Sequence, residues 1–218
     1  MKRFILIITT VIFGYILFSC SNDKTTNPPP TNVDAQKCVV NWMPKNLDID
    51  HYRNGDPIPQ ISNQADWNNL KTGAWCFYNN DSAMGAIYGK LYNWYAVNDP
   101  RGLAPTGWHV ASDSEWTALT TCLGGIDSAG GKLKEVGMAH WDSSNTGATN
   151  ASGFTVLPGG FRLDYGEFKN LGQNAMFWTS SVYDDANAWD RDLGRSYIHI
   201  GRVSNAKKDG FSIRCVKD

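Results

Sequence analysis

The chain has 218 residues, 42% of them hydrophobic and 19% charged. That is enough apolar material for one globular domain with appendages, and it excludes a disordered chain or a coiled coil. Twenty Lys and Arg against 21 Asp and Glu leave a net charge of -1, so no basic field is available to recruit nucleic acid.

Met1-Lys2-Arg3 followed by the apolar run Phe4 to Phe18 has the pattern of a secretory signal peptide over residues 1–19. The run is shorter than the roughly 20 residues a bilayer-spanning helix needs. Leu17-Phe18-Ser19-Cys20 resembles the bacterial lipobox, although Phe18 stands where a small residue is usual. The resemblance implies cleavage before Cys20 and acylation of its thiol, which anchors the chain to a membrane without a transmembrane segment. Cleavage removes Lys2 and Arg3, leaving 18 cations against 21 acids, a net charge of -3. The expected location is the cell envelope, at the outer membrane. Residues 20–32, with Pro28-Pro29-Pro30 and no apolar side chain able to pack, form an extended spacer. A single domain is expected over residues 33–218, since Val39-Val40 and Trp42-Met43 are the first residues able to bury area.

Asn63 to Leu70 predicts a short helix, and Ile87, Leu91, Trp94 and Tyr95 are spaced for one apolar helical stripe. Ser112-Asp113-Ser114-Glu115 is a capping box, followed by Trp116, Leu119 and Leu123 at helical spacing until Gly124-Gly125, so a helix is expected over 112–123. A further helix is expected over 128–136 after an Asp127 cap. Beyond Gly137 the pattern becomes strand-like. Phe154 to Leu157 and Phe161 to Leu163 flank Pro158-Gly159-Gly160, which reads as a hairpin turn. Segments 175–181, 188–192, 196–200 and 211–216 alternate in the manner of antiparallel strands. Nothing repeats at a period of 20 to 50 residues, which excludes a solenoid or propeller. The fold class is α+β, with short helices packed on a twisted antiparallel sheet and long loops.

Cys38, Cys76, Cys122 and Cys215 remain once Cys20 is assigned to lipid, an even number in an oxidising compartment and without C-x-x-C spacing. Structural disulfides are expected, and three pairings are open.

Trp42-Met43-Pro44-Lys45-Asn46-Leu47, Tyr52 to Pro59, Gly89 to Val97, Ala104 to Trp116, Leu157 to Arg162, Phe177 to Ser181 and Gly210 to Val216 together resemble the Fibrobacter succinogenes major paralogous domain. The resemblance spans residues 38–218. Ala104 departs from the Cys that relatives often carry there. That family in turn is similar to C-type lectin-like and formylglycine-generating-enzyme-like folds, which implies a lectin-like architecture with Cys122 joined to Cys215. The oxidase chemistry of the second group needs a close thiol pair binding copper, and the carboxy-terminal segment offers Cys215 alone.

The histidines lack zinc-binding spacing, and no G-x-S-x-G elbow or phosphate-binding loop occurs. Asp184, Asp185, Asp190 and Asp192 supply hard oxygen ligands suited to calcium, the one cofactor the sequence suggests. Trp189 among them, with Arg191, and Tyr165 on a second loop are candidate contacts to a sugar face. The expected function is non-catalytic binding of a glycan, polymer or protein at the cell envelope. The alternatives are an envelope enzyme acting on polysaccharide and a structural or assembly protein.

Overall fold

The computed structural model describes residues 32–218. The expected signal peptide, Cys20 and the spacer up to residue 31 lie outside the described residues. The fold is mixed α+β, with short helices beside a curled, mostly antiparallel sheet.

Helix α1 (Asn32–Lys37) leads to α2 (Gln64–Asn68), where the Asn63 side chain accepts from the amides of Ala65 and Asp66 and α2 buries Trp67. Strand β1 (Trp75–Cys76), a turn at Tyr78–Asn80, α3 (Ser82–Tyr88), β2 (Leu91–Tyr92), α4 (Trp94–Val97) and β3 (Trp108–Val110) follow. The expected single stripe from Ile87 to Tyr95 is therefore cut in three. Gly89 adopts φ +77°, which ends α3. The Asn93 side chain then accepts from Ala74 and Ala96 amides, capping α4 and tying it to a distant segment. Such tertiary hydrogen bonds override apolar spacing.

Helix α5 (Asp113–Cys122) forms as expected. Ser112 Oγ accepts from the Glu115 amide at 3.2 Å, and Glu115 Oε2 accepts from the Ser112 amide at 2.7 Å. Trp116 and Leu119 are buried. Helix α6 (Ile126–Leu133) begins two residues before its expected start, capped by Gly125, with Asp127 inside its first turn.

The main sheet comprises β4 (Gly159–Arg162), β5 (Phe168–Leu171), β6 (Asn174–Val182), β7 (Asn187–Gly194) and β8 (Gly201–Ala206), in the order β5-β4-β6-β7-β8. All its pairings are antiparallel except β4 with β6. Strand β9 (Cys215–Lys217) pairs with β3, and β1 pairs with β2. Gly159 and Gly160 lie within β4, so the expected turn there is corrected: the hairpin joins β4 to β5 through residues 163–167. Gly160 is a close-approach position, where a Cβ would sit 2.6 Å from Tyr78 Cε2 and from the Lys169 carbonyl. Segment 196–200 is likewise not a strand. Its carbonyls are already engaged, Tyr197 by Lys134 Nζ and Ile198 by the Gly131 amide.

Alternation along β6 divides the interior. Met176 and Trp178 face one core, which includes Tyr92, Trp94, Phe211, Ile213 and Cys215. Ala175 and Phe177 face the other, with Trp42, Trp116, Leu119 and Phe154. Each large side chain so buried contributes about 1.5–3 kcal/mol.

The disulfide joins Cys38 to Cys122, with Cα atoms 5.9 Å apart and a sequence separation of 84. The lectin-implied bond from Cys122 to Cys215 is not formed. Cys215 pairs with Val110 in the β3–β9 ribbon and lies in the first core, whereas Cys122 at the end of α5 meets the turn after α1. Cys76 and Cys215 are buried thiols, each pushed up to about 12 by burial.

Candidate functional site

The residues expected to hold calcium or a sugar mostly satisfy one another. Asp184 Oδ1 accepts from the amides of Ala186 (2.8 Å) and Asn187 (2.7 Å) and closes the β6–β7 turn. The carbonyls of Asp184 and Asp185 accept from Lys207 Nζ. Asp192 accepts from the Tyr197 hydroxyl at 2.7 Å and from Asn174. Asp190 is fully buried; one oxygen accepts from Asn205 and the other has no hydrogen-bond partner among the described residues. Burial first, opposed by Asn205 and aided by the charge of Asp192, pushes its carboxyl up to about 7. The proposed calcium set is therefore not assembled: among the described residues no three His, Cys, Asp or Glu side chains gather into a group able to hold a metal.

Arg191, buried, pairs with Asp113 at 2.7 Å, and Asp113 also pairs with Arg202. Burial disfavours the Asp113 charge, but Arg202 and Arg191 outweigh it and hold the carboxyl below its usual range. Arg202 lies over Trp189, its Cζ 3.5 Å from the ring centroid, and the Tyr183 ring meets Trp189 edge-on at 4.7 Å. The ring face expected to receive a sugar is thus occupied. Tyr165, at the exposed β4–β5 tip, borders a shallow recess with Asn63, Gln64 and Asn68, far in sequence from the aspartates.

A different place is open. A cleft of about 450 Å³ is lined by residues 44–46 and Asp48, the second half of α3 with Gly89, the loop residues Gly153, Thr155 and Leu157, and Arg214. The Met43 amide donates to the Cys215 carbonyl and the Leu47 amide to the Ile213 carbonyl, both at 2.9 Å. Residues 44–46 are therefore pinned on either side of Arg214. Gly89 lets Asn46 approach, since a Cβ there would lie 3.2 Å from Asn46 Cβ. Asn46 Nδ2 then donates to the Tyr88 carbonyl at 2.8 Å.

Arg214 is 2% exposed and makes no ion pair among the described residues. Nε donates to Asn46 Oδ1 (2.8 Å), Nη1 to the Met43 carbonyl (2.8 Å), and Nη2 to the carbonyls of Phe154 (3.2 Å) and Thr155 (3.5 Å). The guanidinium lies 4.3 Å from the Phe154 ring centroid. Burial pushes its pKa down to about 9, which leaves it cationic at neutral pH. Thr155 has φ +55°, a strained setting for a β-branched residue, held by Asn150 through the Thr155 amide and hydroxyl. Lys45 is exposed on the rim and has no partner among the described residues. The one carboxylate among the lining residues, Asp48, is ion-paired with Lys90. A second recess of about 360 Å³, lined by residues 48–53 and 103–106, shares Asp48.

A family model described as the Fibrobacter succinogenes major domain matches residues 39–217. The chain belongs to this family. No curated protein and no solved structure matches it. In this major domain, two of the strings that carry the family resemblance, Trp42 to Leu47 and Gly210 to Val216, meet at the cleft and supply Lys45, Asn46 and Arg214. None of these was expected as a site residue from sequence. The available signal was Arg214 itself, a cation inside the apolar run Phe211 to Val216, where a charge is rarely buried without a partner.

Proposed function

We propose that the chain is a cell-envelope lipoprotein, held at the outer membrane through Cys20, whose lectin-like domain binds a glycan or similar polymer without catalysis. The observation that carries the reading is the composition of the open cleft. It combines Asn46, Lys45, Thr155 and Arg214 with apolar Ile87 and Leu157, while its one carboxylate is engaged by Lys90. Polar groups that fix orientation beside apolar contact area suit a hydroxyl-rich ligand. The neighbouring recess at Asp48 suits a ligand longer than one unit. The lectin-like assignment is supported by short helices against a curled sheet, and by amino- and carboxy-terminal segments that pair at Trp42 and Val216.

Polysaccharide hydrolysis needs two carboxyls facing an open cleft. The cleft and the recess beside it present Asp48 and Asp50, which are engaged by Lys90 and His51, and the two carboxyls with raised pKa, Asp190 and Asp209, are buried and line neither. A binding screen of the full chain against neutral and acidic polysaccharides, with and without calcium, tests the proposal. Saturable binding without new reducing ends is expected. Release of reducing ends would favour the enzyme, and absence of binding to every polymer would overturn the glycan reading. Mass spectrometry of the exported protein tests the anchor: an acylated Cys20 at the mature amino terminus is expected, and an intact leader would refute it.

A further inference from the structure

Resting on the reading of the cleft as a glycan site, we propose that its ligand is an acidic glycan whose uronate carboxylate is received between Lys45 and Arg214. The protein as a whole is slightly acidic, yet the cleft is not. Asp48 and Lys90 cancel each other, which leaves Lys45 and Arg214 as two positive charges without a carboxylate partner.

Arg214 differs from Arg191, which is similarly buried but has Asp113 against it. A guanidinium carries five N–H groups. Its bonds to Asn46, Met43, Phe154 and Thr155 use four, and one on Nη1 has no acceptor among the described residues. A buried cation satisfied by neutral oxygens alone lacks the counter-charge that offsets its desolvation, and an incoming carboxylate supplies it. Lys45 on the rim places a second cation where the same group would enter. It stands beside Asn46, whose amide is fixed by Tyr88 and Arg214.

The class of macromolecule follows from the walls. None of the lining residues belongs to a strand, so a peptide has no free edge to extend. At about 450 Å³ the cleft is also too short to seat the successive anchors, two turns apart, by which an amphipathic helix docks. Ile87 and Leu157 offer contact of the size of a sugar face, and Asp48 keeps one carboxylate oxygen, outside its bond to Lys90, to accept from hydroxyls.

The test measures equilibrium binding of the full chain to a set of uronate oligosaccharides (galacturonate, glucuronate and mannuronate/guluronate types), each beside its methyl-esterified form, with neutral oligosaccharides and poly-glutamate alongside. At least one uronate ligand should bind, should lose about tenfold or more in affinity on esterification, and should weaken as salt rises from about 0.05 to about 0.5 M. Lys45→Gln should weaken it about tenfold and Lys45→Glu further, with the melting temperature unchanged because Lys45 is exposed and unpaired. Arg214→Lys, which keeps the charge and loses the fork, should weaken binding in any variant preparation that melts cooperatively. Equal affinity for acid and ester, or indifference to Lys45→Glu, would overturn the charge assignment while leaving the glycan reading in place. Absence of binding to acidic and neutral sugars alike would overturn both. Preference for poly-glutamate over every uronate would replace the glycan with an acidic peptide.

Discussion

The face formed by α5, β7 and β8 and the cleft around Arg214 draw on the same kinds of residue and use them differently. On the first, Asp113 answers Arg191 and Arg202, Arg202 covers Trp189, and Asp184 closes its own turn. In the cleft, Lys45 has no partner among the described residues, Arg214 hydrogen-bonds to neutral oxygens alone, and Thr155 is held in a strained backbone setting. The contrast shows that a dense run of acids and aromatics in sequence does not by itself mark a ligand site. On the proposed reading, what marks one here is charge that the fold leaves without an internal partner.

The largest effect that would sharpen this contrast is expected at Asp113. Asp113→Ala strands the buried Arg191 and frees Arg202, so chemical denaturation should show a loss of about 3–5 kcal/mol, with uronate binding by the folded fraction unchanged. A loss below about 1 kcal/mol would mean that the face is not held by this network.

Next comes the bond from Cys38 to Cys122. Replacing both cysteines by serine should cost about 2–4 kcal/mol, read as a lower melting temperature that reductant no longer alters. In the oxidised protein Cys76 and Cys215 should react with a thiol reagent only on unfolding, since both are buried. Rapid reaction in native buffer would contradict the described packing.

The pH dependence is expected to be smaller. Asp190 is pushed up to about 7 chiefly by burial, and Asp209 to about 7 by burial and the charges of Asp164 and Asp190. Raised carboxyl values favour the folded state fully below the unfolded value near 4, and that contribution fades as pH rises through about 7. For His109, burial opposes the charge, but Asp218 and Glu115 outweigh it and raise its value, so its contribution is also present at low pH and lost on the alkaline side. Asp113 and Glu115 run the other way, losing their contribution as pH falls below the usual carboxylate range. Stability should therefore decline as pH rises from about 4 to about 7, with the His109 part following on the alkaline side, and Asp190→Asn should flatten the decline below about 7. An unchanged slope would mean that Asp190 is not the group responsible.

The smallest effect on stability is expected at Lys45. Lys45→Gln should change it by less than about 0.5 kcal/mol while weakening uronate binding. A large loss of stability there would show that Lys45 has a structural partner after all and would remove the contrast with Asp113.

Local signals made part of the molecule legible. The capping box of α5, the Asn63 cap of α2 and the alternation of β6 and β7 operate within a few residues, and each formed close to where the sequence placed it. The failures share a cause. Ile87 to Tyr95 has helical spacing, but Asn93 bonds a chain segment 19 residues away. Pro158-Gly159-Gly160 has turn composition, but Gly160 is small because Tyr78 and β5 press against it. Among the cysteines, pairing depended on where α1 meets α5, which no spacing reveals. At the cleft, Arg214 is visible as an anomaly in its run, yet its partners lie 59 to 171 residues away. The cation was readable, and its missing counter-charge was not.

The most direct test of where this protein meets its ligand is a titration of the isotopically labelled full chain with the uronate oligosaccharide that binds best, read through backbone amide shifts. Saturating shifts at Lys45, Asn46, Gly89, Thr155 and Arg214, with residues 184–192 and Arg202 unmoved, are predicted. Shifts confined to Asp184–Asp192, Trp189 and Arg202, with the cleft silent, would contradict the account.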